Sequence, residues 1–108
     1  MSLQKKFSKS KKDCNVTFTL SKEAANGAVD VKLLGDFNNW DQINGISMKP
    51  GEDGFKASLD LNPGKEYEFR YLIDGKTWEN DWSADKYVPS PYGADNSVVV
   101  VPDASSAN

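Results

Sequence analysis

The strongest constraint on this chain is a period-two alternation of apolar and polar residues, repeated in short runs that turn residues separate. Val16, Phe18 and Leu20 alternate with Asn15, Thr17 and Thr19, and Phe55, Ala57, Leu59 and Leu61 with Lys56, Ser58 and Asp60. Tyr67, Phe69, Tyr71 and Ile73 alternate with Glu66, Glu68, Arg70 and Leu72, and Val29, Val31 and Leu33 with Asp30, Lys32 and Leu34. Successive side chains of a strand point to opposite faces, so each run offers one face to a core. Asn26-Gly27, Asn44-Gly45, Asp53-Gly54, Asn62-Pro63-Gly64 and Asp74-Gly75 mark the reversals between runs. The run Val98–Val101 is β-branched throughout and reads as the closing strand. Short strands with frequent turns and no long helical period predict an all-β antiparallel sandwich. Lys22-Glu23-Ala24-Ala25 is mildly helical but too short to nucleate alone, so Ser21 to Gly27 is read as a turn. Residues 43–50 are read as irregular and residues 76–96 as one long polar and aromatic loop.

A chain of 108 residues holds one domain and one core. The reading divides it into a lysine-rich arm over 1–12, the sandwich over 13–102 and a disordered tail over 103–108. The arm carries Lys5, Lys6, Lys9, Lys11 and Lys12; removing those five from the net charge of −3 leaves −8 for the rest. So acidic a body lacks the clustered cations that phosphate contacts need, which argues against a nucleic-acid partner. The lysines fit a solvated arm or a charged edge strand that resists pairing between sheets. No apolar run is long enough to span a membrane, and no secretory leader opens the chain, so a cytoplasmic protein is expected. The single cysteine, Cys14, shares parity with Val16 and is read as buried and inert. Without paired cysteines, an immunoglobulin-like sandwich must be held by packing alone.

The chain contains no histidine, which removes the commonest general base and metal ligand. The acids Glu79, Asp81 and Asp85 are dense enough to raise glycoside hydrolysis or a calcium site, but a small domain offers no deep cleft and their spacing matches no calcium loop. The reading is therefore non-catalytic, with no cofactor. The tryptophans are more informative, because Trp40, Trp78 and Trp82 all lie outside the clear strands among amide and carboxylate residues. An aromatic face with hydrogen-bonding groups at its rim suits a sugar ring, which is apolar on its faces and hydroxylated at its edge. Trp40 and Trp78 are read as exposed binding rings, and Trp82 as a structural plug for the open end of the sandwich. Arg70 points away from Tyr67, Phe69 and Tyr71; its planar donors suit sugar hydroxyls or a cross-strand ion pair with Glu66, Glu68 or another acid. Asn96 offers an amide that both donates and accepts, or else is an ordinary turn asparagine.

Three segments occur here in the same order as in carbohydrate-binding module family 48. They are Gly35-Asp36-Phe37-Asn38-Asn39-Trp40, Phe69-Arg70-Tyr71-Leu72-Ile73-Asp74-Gly75 and Tyr92-Gly93-Ala94-Asp95-Asn96-Ser97-Val98-Val99. The chain resembles that family over about residues 14–101. The family includes the glycogen-binding domain of the AMP-activated protein kinase beta subunit and the early-set domain of isoamylases and branching enzymes. The resemblance implies an early-set immunoglobulin-like fold and a stand-alone module for α-1,4-glucan such as glycogen, starch or a maltooligosaccharide. It implies stacking roles for Trp40 and Trp78, with Trp78 one residue farther from Gly75 than in the kinase domain. Arg70 stands where that domain has a sugar-contacting lysine, Asn96 where it has a glucose-binding asparagine. Tyr92, which replaces a leucine that enters the ring of a cyclic glucan, is expected in the sugar site, either stacking on the ligand or blocking that mode, and Ala94 replaces a sugar-contacting threonine, with the loss of one polar contact. The alternative implied is an accessory domain that docks on a glucan-processing enzyme of glycoside hydrolase family 13 without strong sugar binding. By this reading Asp36, Asn38 and Asn39 shape the loop that presents Trp40.

Overall fold

Alternation on this scale demands two sheets, and a computed structural model of the chain, which describes residues 3–10, 12–91 and 93–103, has them. The elements in order are β1 (Leu3–Phe7), β2 (Cys14–Ser21), α1 (Lys22–Ala25), β3 (Val31–Gly35), β4 (Ile46–Ser47) and β5 (Lys49–Gly51). They continue as β6 (Gly54–Leu61), β7 (Lys65–Ile73), β8 (Thr77–Glu79), β9 (Lys86–Pro89) and β10 (Asp95–Val101). One sheet runs β1-β2-β6-β5; the other runs β4-β3-β7-β10-β9, with β8 also paired to β7. The neighbours are antiparallel. The two sheets pack as an immunoglobulin-like β-sandwich of the early-set type.

The inward sets form the core. Cys14, Val16, Phe18 and Leu20 of β2 are buried, facing Val31 and Leu33 of β3, Phe69 and Tyr71 of β7 and Val99 and Val101 of β10 in one cluster. Phe18 meets the Phe69 ring edge-on at 5.0 Å, and Phe69 meets Tyr71 at 5.7 Å, a geometry that favours the ring quadrupoles. Burial also pushes the Cys14 thiol above its usual value, the expected state of an inert core cysteine. Residues 3–7 of the lysine-rich segment form the edge strand β1, paired with β2 from Leu3↔Phe18 to Phe7↔Cys14. Lys5 pins that edge across the sandwich by an ion pair of 2.7 Å to Asp85, which also accepts the Val100 N–H.

Several local expectations are corrected. Residues 22–25 do form one helical turn, because Ser21 Oγ accepts the Ala24 N–H at its start and Asn26 closes it in the left-handed region. Packing of Ala24 and Ala25 into the core supplies what the isolated segment lacks. The strand expected from Val29 begins at Val31, and Val29 is 88% exposed. Asp74 Oδ1 accepts the N–H groups of Val29 and Asp30, drawing that backbone off the ladder. Leu34 and Leu72, read as outward, do face away from the core but are buried. The 41–45 loop folds over Leu34, so closely that a Cβ on Gly45 lies 3.3 Å from it. Residues 43–50 contain β4 and the start of β5, and the 76–96 loop contains β8 and β9. Residues 104–108, the greater part of the expected tail, lie outside the described residues.

Candidate carbohydrate-binding site

The outer face of the second sheet carries the residues of interest, and strand register brings them there. Leu34 of β3 pairs with Arg70 of β7, and Ser97 of β10 pairs with Phe69. Asn96 therefore lies beside Arg70 on the face opposite the core. Trp78 pairs with Leu72, two residues along β7 from Arg70, and shares that face. The turn Asp74–Lys76 makes this register possible. Asp74 and Gly75 adopt φ of 51° and 69°, and the Lys76 N–H returns to Ile73 O.

Trp40 reaches the same face from the loop after β3. Gly35 is needed where that loop leaves the sheet, because a Cβ there lies 2.4 Å from Glu68 O and 2.9 Å from Phe69 Cβ. A short 3-10 turn, Asp36–Asn38, follows. The Asn38 side chain accepts the Gly35 N–H and donates to Leu33 O, tying the turn to its own strand. Asn39 and Trp40 then take the left-handed conformation, φ 56° and 58°. For a bulky residue such a conformation is costly and persists only where the surroundings over-determine it. They do so here. The Trp40 N–H bonds Gly35 O, and its indole Nε1 donates to Asp36 Oδ1 at 3.1 Å. Asp36 Oδ2 accepts the Glu68 N–H at 2.8 Å, so one carboxylate joins the ring to β7. The loop-shaping role expected for Asp36 and Asn38 is what these bonds describe.

The result is a cleft of about 720 Å³ lined by Trp40, Gln42, Glu68, Arg70, Trp78, Ser90, Pro91 and Asn96. The Trp40 and Trp78 rings lie side by side, centroids 6.4 Å apart and planes inclined by 55°. Arg70 and Asn96 form the polar floor, with Arg70 Nε donating to Asn96 Oδ1 at 2.6 Å. Arg70 thus makes no ion pair among the described residues; its partners are Asn96, Ser90 Oγ and Ala94 O. Four of the five expected site residues share this cleft, and the fifth, Tyr92, lies outside the described residues. Trp82 departs from expectation. It is 59% exposed, does not plug the sandwich, and its indole N–H bonds Glu79 outside the cleft.

Gln42, Glu68, Ser90 and Pro91 line the cleft without having been expected there. Glu68 had a readable signal, since it shares strand parity with Arg70; Ser90 and Pro91 arrive through the fold of a loop that has no alternation. The acids Glu79, Asp81 and Asp85 are each committed elsewhere. Glu79 accepts from Trp82, and Asp85 pairs with Lys5. Asp81 is buried, accepting from the Tyr71 hydroxyl at 2.7 Å and the Ser83 N–H at 2.8 Å. Burial, then the charge of Asp81, push the Tyr71 hydroxyl well above its usual value near 10. Among the described residues no group of three or more acids and cysteines is placed to hold a metal ion, and no helix is long and apolar enough to cross a membrane.

Residues 16–106 match the family model described as the glycogen recognition site of AMP-activated protein kinase. No curated protein matches the chain. With that match spanning nearly the whole sandwich, including every described residue of the cleft, the chain belongs to this family and is a carbohydrate-binding module.

Proposed function

We infer that the cleft binds α-1,4-linked glucan, such as glycogen or a maltooligosaccharide, without processing it. Trp40 and Trp78 stack on the faces of neighbouring glucose units, and Arg70, held on the cleft floor by Asn96, meets their hydroxyls. The observation that carries this reading is the 55° inclination of two adjacent rings above a polar floor. An α-1,4 linkage leaves each glucose through an axial bond, so the chain bends and consecutive ring faces tilt. A β-1,4 chain is a flat ribbon and favours coplanar platforms. Membership of a glycogen-recognition family supports the same ligand.

A shallow open cleft of this kind implies a Kd on the order of micromolar to millimolar for a single oligosaccharide. Many chain ends on one particle raise the effective strength. Native gel electrophoresis through glycogen tests the reading. The unaltered chain is expected to be retarded, Trp40→Ala is expected to run as in a gel without glycogen, and soluble cellulose derivatives are expected to cause no retardation. Equal mobility of the unaltered chain with and without glycogen, together with unchanged tryptophan fluorescence in β-cyclodextrin, overturns it.

A further inference from the structure

The hydrogen bonds on the cleft floor separate two roles that residue types alone leave merged. Asn96 is only 8% exposed, and both ends of its amide are engaged. Its Oδ1 accepts from Arg70 Nε at 2.6 Å, and its Nδ2 donates to Glu68 Oε1 at 3.0 Å. The orientation is unambiguous, because a guanidinium only donates and a carboxylate only accepts. Arg70 uses Nη2 on Ser90 Oγ and Ala94 O. Among the described residues this leaves Arg70 Nη1, a donor, and Glu68 Oε2, an acceptor, without partners. Glu68 lines the cleft with both rings, and its backbone N–H is held by Asp36, the carboxylate that also holds Trp40. A sugar hydroxyl both donates and accepts. A donor and an acceptor fixed on either side of one amide therefore match neighbouring hydroxyls of a ring.

We propose that Glu68 contacts the ligand, accepting a glucose hydroxyl through Oε2, and that Asn96 is a positioning residue that holds Glu68 and Arg70 at a set spacing. This rests on the glucan reading of the cleft.

The test is a tryptophan-fluorescence titration of the full chain with methyl α-maltotrioside and a series of analogues in which single hydroxyls are replaced by hydrogen. Glu68→Gln keeps the shape and an acceptor for Asn96 but replaces the free oxygen with a donor. It is expected to weaken binding of the parent sugar about tenfold. One analogue is expected to bind the unaltered chain about tenfold more weakly than the parent, yet bind Glu68→Gln no more weakly than the parent does. Asn96→Ala is expected to weaken the whole series without erasing the penalty of any one hydroxyl. Parent binding that Glu68→Gln leaves unchanged overturns the proposal alone. So does a hydroxyl penalty that vanishes in Asn96→Ala and persists in Glu68→Gln. Failure of the unaltered chain to bind the parent sugar overturns the glucan reading and this proposal together.

Discussion

At the scale of single residues, the site depends on a few side chains whose partners are backbone groups. Asp36 uses one oxygen for the Trp40 indole and the other for the Glu68 N–H. Asp36→Asn replaces one of these acceptors with a donor that faces an N–H. We expect glucan affinity to fall about fivefold to tenfold, read by β-cyclodextrin titration, as the ring loses its tether. Affinity equal to that of the unaltered chain would show that Trp40 holds its orientation without Asp36. Asp41 shapes the next stretch, which carries Gln42 into the cleft. The Asn44 side chain first, then the Asn44 and Ile43 N–H groups, hold its carboxyl below the usual 3.8. A lowered carboxyl stabilises the fold above its unfolded value, and that contribution is lost as pH falls through the folded value. Carbon-detected NMR titration of Asp41 is expected to give a midpoint below 3.8, and Asn44→Ala to return it towards that value.

Among the elements, β7 does most to build the site, because its two faces serve different ends. Phe69 and Tyr71 enter the core, while Glu68 and Arg70 enter the cleft. The Tyr71 hydroxyl continues past the core to Asp81, whose N–H bonds Ser97 Oγ and whose carbonyl accepts from Tyr87. This buried network anchors the segment between β8 and β9. Tyr71→Phe keeps the ring but strips a partner from a buried carboxylate, at a cost of about 1–3 kcal/mol. For a domain of this size that corresponds to a fall in Tm of roughly 4–8 °C per kcal/mol, measured by circular dichroism. Gly35→Ala is expected to destabilise by a similar amount, about 1–3 kcal/mol, because β7 backbone occupies the space its methyl needs. An unchanged Tm for either variant contradicts the corresponding packing argument.

For the whole molecule, the two sheets are tied at the edge by Lys5–Asp85 and through the middle by the aromatic cluster. Tyr71 makes stability sensitive to alkali, since its hydroxyl is held protonated well above 10 in the fold. The contribution is fully present below the unfolded value near 10 and is lost as pH rises through the higher folded value. The urea midpoint is expected to be insensitive to Tyr71 up to about pH 10 and to fall beyond it, with a shallower fall in Tyr71→Phe. Equal slopes for the two proteins would remove Tyr71 as the cause.

Much of this architecture is written in local alternation. The inward sets of β2, β6 and β7 were legible because a strand's side chains take opposite faces whatever the rest of the chain does. The early-set sandwich and the order of the three family segments followed from residues near one another in sequence, and so did the loop that presents Trp40. What covers a face, or what a side chain meets across it, is set by contacts between distant segments. Arg70 and Asn96 are 26 residues apart, and Asp36 and Glu68 are 32 apart. Parity alone showed Leu34 facing outward, but only the folded 41–45 loop buries it. Trp82 read as a plug, and only the packing of its loop leaves it exposed. The sequence by itself determined the strands, their inward faces and the ring that the first loop carries. The tertiary structure alone decided that Ser90 and Pro91 complete the cleft and that Asn96 spends its amide on Arg70 and Glu68, because these partners are chosen by contacts between distant segments, which no local pattern encodes.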